Sequence, residues 1–131
     1  MRVFHSLVFD ENIESTTDQF IDASWNAQLG LPDKLTLFAV TDTVSGTSPT
    51  LAVQIQESPD QVHWLNKSTA AEIPSTTALS TSANTVAVGR DPGTTPSAAF
   101  VRLRIALGGT NPKAHVRVWV TGRGEQIPMG Q

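Results

Sequence analysis

Two stretches of strict alternation near the C-terminus constrain this chain more than any other feature. Val101, Leu103, Ile105 and Leu107 fall on one side of an extended backbone, with Arg102, Arg104 and Ala106 on the other. After Gly108-Gly109-Thr110-Asn111-Pro112 the pattern resumes. Ala114, Val116, Val118 and Val120 then share one side, and His115, Arg117, Trp119 and Thr121 take the other. A period of two belongs to strands, because successive side chains leave a pleated backbone on opposite faces. One apolar face and one polar face describe a half-buried antiparallel sheet, and the intervening Gly, Asn and Pro predict a hairpin turn.

The same signals recur upstream. Residues 2–9 alternate, and residues 17–25 hold Phe20, Ile21 and Trp25 as apolar anchors. Residues 35–41 are apolar on both faces after Leu37, as in a central strand covered on both sides. Val44-Ser45-Gly46-Thr47-Ser48-Pro49 has the chemistry of a connecting loop. Leu51, Val53 and Ile55 oppose Ala52, Gln54 and Gln56 on the next strand. Ser58-Pro59-Asp60-Gln61 then makes a tight turn in which Asp60 bonds the backbone ahead of it, and Val62-His63-Trp64-Leu65 returns, with Trp64 packed in the core. Residues 66–84 read as one weak edge strand plus loop, 85–88 as a short strand, 90–96 as a loop and 122–131 as an irregular tail. No window of 11 residues shows helical periodicity.

These elements predict one all-β domain over residues 1–131. Its fold is a single antiparallel β-sandwich or jelly roll of about seven to nine short strands, with an extended N-terminal segment and a C-terminal tail. Composition agrees: 39% of the residues are hydrophobic and only 16% charged, while 11 Ser and 16 Thr supply the polarity. The first apolar stretch is broken by His5 and Ser6 and followed by Asp10, Glu11 and Glu14, so it reads as a strand rather than a signal peptide. No apolar run reaches the ~18 residues that span a bilayer, so no membrane partner is expected.

Chemistry has little foothold. The absence of cysteine excludes disulfides, thiolate metal sites and a cysteine nucleophile. His5, His63 and His115 lie on separate elements without ligand spacing, and the acids at Asp10, Glu11, Glu14, Asp18 and Asp22 lack the glycine turn of a calcium loop. There is no G-x-S-x-G elbow and no P-loop. The expectation is therefore a non-enzyme with no cofactor, no metal and no catalytic residue.

The formal net charge of −3 lacks the basic footprint of a nucleic-acid binder. It is unevenly divided: residues 1–60 carry −7 and residues 61–131 carry +4. Halves lying on opposite faces would make a dipolar domain suited to docking; interleaved halves would mix the charges. The candidate interaction face is the polar side of the C-terminal strands, Arg102, Arg104, His115, Arg117 and Trp119, because Arg and Trp are enriched in interface hot spots. Arg–Trp stacking on an exposed sheet, cover by another segment of the same domain, and contact with another molecule all remain open for it.

Residues 50–64, from Thr50 through Ser58-Pro59-Asp60-Gln61 to Trp64, resemble a strand–turn–strand pattern of small β-sandwich structural proteins of tailed bacteriophages. In that pattern an alternating strand ends in Ser-x-Asp-Gly and a Trp follows. Residues 100–105 and 116–122 are similar to the closing hairpin of the same proteins, and Gln61 stands where the pattern has Gly. The resemblance implies a virion structural role: a capsid decoration (cement) protein, or a head or tail accessory, homo-oligomeric and bound to a protein shell assembled in the host cytoplasm. Sugar-binding sandwiches use the same turn-and-Trp device, so a carbohydrate-binding module is the alternative.

Overall fold

The computed structural model describes residues 2–21, 34–66, 71–90 and 100–124. Six strands run in the order β1 (Arg2–Ile13), β2 (Gln19–Ile21), β3 (Lys34–Ser58), β4 (Leu65–Asn66), β5 (Thr85–Arg90) and β6 (Phe100–Gly124). The two 25-residue strands organise the rest. They pair antiparallel from Lys34 opposite Arg123 to Ser58 opposite Phe100, forming one continuous ribbon.

That ribbon is creased near its middle. Between Asp42 and Thr50 on β3, and between Gly108 and His115 on β6, the register shifts three times. Extra residues in one strand of a pair bend it and raise its twist. Thr43, Gly46, Ser48, Gly109 and Asn111 all take positive φ there. Gly46 and Gly109 nest against the opposite strand: a Cβ on Gly109 (φ 112°) would lie 2.9 Å from the carbonyl oxygens of Thr47 and Ser48. A Cβ on Gly46 (φ 113°) would lie 2.8 Å from that of Asn111. Only a residue without a side chain fits such an approach and such a backbone. Pro49 and Pro112, which have no N–H to offer a ladder, are both buried at the crease.

The other elements follow the same fold-over. On the first sheet β1 pairs with residues 114–124 of β6, and β5 pairs with residues 36–41 of β3. On the second, β2 pairs with residues 103–105 of β6. The outer edge of β3 there takes β4 and two isolated bridges, Val53 to Ile73 and Thr50 to Ala78. The Glu72 carboxylate completes that edge by accepting from the Ile55 N–H at 3.2 Å. The result is an antiparallel sheet doubled over into a β-sandwich, in which β3 and β6 each serve both layers.

The core lies inside the fold. Directly opposed pairs such as Leu37–Val120 and Ala39–Val118 on one sheet face Leu51–Leu107, Val53–Ile105 and Ile55–Leu103 on the other, and all belong to one buried cluster. Each Leu, Ile or Val so buried contributes roughly 1.5–3 kcal/mol.

Several expectations are corrected. Residues 108–112 do not turn the chain back as a hairpin, and residues 44–49 are not a loop between strands; both are bent strand. Glycines and prolines suit a bulged crease as well as a turn, since each relaxes the demands of a regular ladder. The return expected at 62–65 is strand only at Leu65–Asn66. Of the edge strand expected within 66–84, the described residues 71–84 give isolated bridges at Ile73 and Ala78, and residues 67–70 lie outside the described residues. Strand β6 continues to Gly124, so the irregular tail can begin only beyond it; residues 125–131, like Trp25 and residues 91–99, lie outside the described residues.

Candidate interaction surfaces

Strand β6 presents all five candidate residues away from the core, as its alternation requires. The crease divides them. His115, Arg117 and Trp119 lie on the outer face of the first sheet, whereas Arg102 and Arg104 lie on the outer face of the second. The single face expected of a flat hairpin is therefore two faces on opposite sides of the sandwich.

On the first sheet, register lines up an apolar row across four strands: Leu7, Trp119, Phe38 and Val88. Val40 and Val86 pair in the row beside it. Leu7 is 46% exposed, Val88 42% and Val86 62%, so the row is open to solvent. Charge borders it. Arg117 donates through Nη1 to Asp42 Oδ2 at 3.1 Å and lies 3.5 Å through Nε from Asp10 Oδ1. The His115 ring stands between Asn12 Oδ1, 2.8 Å from Nδ1, and Asp10 Oδ1 at Nε2. The Thr43 hydroxyl, which donates to Asp42, and the Arg117 guanidinium hold the Asp42 carboxyl below its ordinary pKa.

On the second sheet, Arg104 donates to Gln54 Oε1 at 3.2 Å and lies 3.7 Å from Asp18 Oδ2. Arg102 is held differently. Its guanidinium carbon sits 4.2 Å from the centroid of the Phe20 ring and 4.3 Å from that of Trp64. Its Nε donates to Gln56 Oε1 at 2.7 Å, and Gln56 in turn donates through Nε2 to Asn66 Oδ1 at 2.9 Å. Burial lowers the Arg102 pKa, but a guanidinium stays charged at neutral pH. Phe20, Ile21, Gln61, Trp64 and Arg102 together line an open cleft of about 300 Å³. Trp64 is thus half-buried beside an arginine on the outside of the sheet, not in the core, because its ring stacks on the outward-facing Arg102.

The turn that delivers Trp64 is built as its sequence implies. Ser58 Oγ accepts from the N–H groups of Asp60 and Gln61, and Asp60 Oδ1 accepts from those of Val62 and His63, each at 2.9–3.1 Å. The His63 N–H, the His63 imidazole and the Val62 N–H together hold the Asp60 carboxyl far below the usual carboxylate range. Gln61, where the resembled pattern has Gly, takes φ 64°. The turn conformation that glycine favours is therefore kept without glycine.

Among the described residues, part of the charge division of the sequence is paired within the domain. Acids of the first half meet bases of the second: Asp10 and Asp42 with Arg117, and Asp18 with Arg104. The halves interleave there instead of forming opposite poles. Phe20 and Trp64, which flank Arg102, were missed as site residues; the relevant signal was an aromatic on a short strand and another just past a tight turn. Among the described residues, no three His, Asp or Glu side chains are grouped to hold a metal ion.

No protein-family model and no curated protein sequence matches the chain. Solved structures similar to it include two kinds. One is a chain of infectious bursal disease virus, Gt strain, at a TM-score of 0.55 and 19% identity; the match covers 97% of this chain and 34% of that one. The VP2 subviral particle of the same virus gives 0.55 and 20%, with the same coverage. This chain thus spans about a third of the viral chains. The other kind is the CBM22-1 xylan-binding domain of Paenibacillus barcinonensis Xyn10C, at a TM-score of 0.53 and 7% identity, covering 92% of this chain and 97% of that domain. These likenesses place the fold among the β-sandwiches of viral capsid and carbohydrate-binding domains. They do not extend to tailed phages in particular.

Proposed function

We propose that this domain is a non-catalytic structural component of a virion, a capsid decoration or cement protein that binds a protein shell and its own copies through outward sheet faces. The observation that carries this reading is the solvent-open row of Leu7, Trp119, Phe38 and Val88, extended by Val86 and bordered by ion pairs. Contiguous exposed apolar side chains rimmed by charge are a feature of interaction sites. Sandwich chains of a similar fold occur in a VP2 subviral particle and in virus-derived T=1 particles, which supports a shell role. Self-association or shell binding would stabilise the fold by mass action.

Sedimentation velocity of the chain, alone and with co-expressed shell protein, tests the proposal. The wild type should associate, and a Leu7→Lys, Val88→Lys double variant should remain folded but sediment as a monomer. A wild type that stays monomeric and unbound under both conditions refutes it.

A second reading, a carbohydrate-binding module, is favoured by Trp119 and Phe38 standing side by side on one sheet face and by the likeness to a whole xylan-binding domain. A glycan array separates the two. Reproducible sugar binding lost in Trp119→Ala would replace the shell reading.

A further inference from the structure

Of Arg102, Arg104 and Arg117, only Arg102 has no carboxylate against it. Arg104 faces Asp18, and Arg117 faces Asp10 and Asp42. Among the described residues, Arg102 meets Gln56 through Nε and the Phe20 and Trp64 rings through its two faces. Its terminal nitrogens have no partner. Those nitrogens are not among the buried unpartnered atoms, so they open to solvent in the cleft.

This is a preorganised cation. The two rings pack within 4.3 Å of the guanidinium carbon and the Gln56–Asn66 relay holds the Nε edge, which leaves the terminal N–H donors for a ligand. A planar fork of that kind matches a carboxylate, and less entropy is lost when its rotamer is already fixed. The rim is mixed, with Phe20 51% exposed and Ile21 and Gln61 beside it. A central Arg with aromatic walls has the make-up of a protein hot spot. A sugar ring stacking in the cleft would compete with Arg102, which lies over both rings.

We propose that the Arg102 cleft is a receptor for an acidic side chain, Asp or Glu, of a partner protein subunit. The proposal rests on the shell-contact reading for the partner's class, but it concerns the second sheet, away from the Leu7–Val88 row.

The test uses the full chain, isotope-labelled, with the Arg102 Nε–H and Trp64 indole N–H signals followed by NMR. The probes are an acetylated tetraglutamate peptide, its tetraglutamine counterpart, sodium glucuronate and sodium phosphate. Tetraglutamate should shift both signals saturably and tetraglutamine should not. Arg102→Gln should abolish the shift. Arg102→Lys, which keeps the charge and gives a second variant should the first not fold, should weaken binding about tenfold. Arg90→Gln, an exposed arginine on the other sheet, should leave binding unchanged. Equal binding of tetraglutamine overturns carboxylate recognition. A response to glucuronate or phosphate with tetraglutamate silent overturns the partner class, and silence from all four probes overturns the site. The sedimentation of the Leu7→Lys, Val88→Lys variant is independent of every one of these outcomes, so the two proposals fail separately.

Discussion

Replacing Gly109 by alanine should be among the most damaging single-methyl changes available to this protein. Its φ of 112° lies where side-chain-bearing residues are strained by about 1–3 kcal/mol. The new Cβ would also press on the Thr47 and Ser48 carbonyl oxygens at 2.9 Å and on Pro49 Cα at 3.0 Å. All three are backbone atoms, so relief requires moving β3 itself, and overpacking of this kind costs about 1–3 kcal/mol more. The expected loss is about 2–6 kcal/mol, a large fraction of the roughly 5–15 kcal/mol that holds a domain together. Urea unfolding followed by tryptophan fluorescence reads it as a lowered midpoint at constant slope.

Two companions sharpen the result. Gly46→Ala, on the other strand, should cost about as much, because its Cβ would meet the Asn111 and Pro112 backbone at 2.8–2.9 Å. The neighbouring Gly108→Ala should cost less: its backbone is not left-handed, and the first atom met is the Thr50 hydroxyl. The double Gly46, Gly109 variant should be non-additive, since both residues shape one crease. Equal losses at Gly108 and Gly109, or a silent Gly46→Ala, would refute the folded ribbon and restore an ordinary hairpin at 108–112.

Other outcomes follow from single side chains. The Thr41 hydroxyl is buried without a hydrogen-bond partner, so Thr41→Val should raise stability by about 1 kcal/mol; a loss of stability in the same urea assay would show that the hydroxyl is bonded after all. Gln61→Gly removes a left-handed strain of about 1–2 kcal/mol and adds about 0.4–1 kcal/mol of unfolded-state entropy, for a small net gain that differential scanning calorimetry resolves. Asp42 and Asp60 have folded pKa values below their ordinary 3.8. Their stabilisation is complete above that value and is lost as the pH falls below it. Urea midpoints measured across this range should therefore fall with acid, and less steeply in Asp60→Asn.

Strand parity was legible to the residue. Val101, Leu103, Ile105, Leu107, Ala114, Val116, Val118 and Val120, read inward from alternation alone, are all buried. The switch from odd to even numbering between Leu107 and Ala114 also announced an irregularity. What it could not announce was its kind, because Gly-Gly-Thr-Asn-Pro satisfies a reversal and a bulged bend equally. That ambiguity carried over to the candidate site: the outward side of each residue was right, while their presence on one face depended on the long-range pairing of β3 with β6. The Arg102 stack was illegible for the same reason, since Phe20 and Trp64 approach it from distant parts of the chain.

The central place of β6 sets a schedule for the chain. Strand β3 can meet β4 and β5 early, but its long ladder to residues 100–123 and the pairing of β1 with residues 114–124 both require the last strand. Until β6 is present, the edges of β1 and β3 that it will cover stay bare, a state open to mispairing between chains. Residues 1–60 carry nine acidic side chains against two basic ones. Like charge on those segments disfavours their association, and in the folded domain Asp10, Asp18 and Asp42 meet Arg104 and Arg117 of β6.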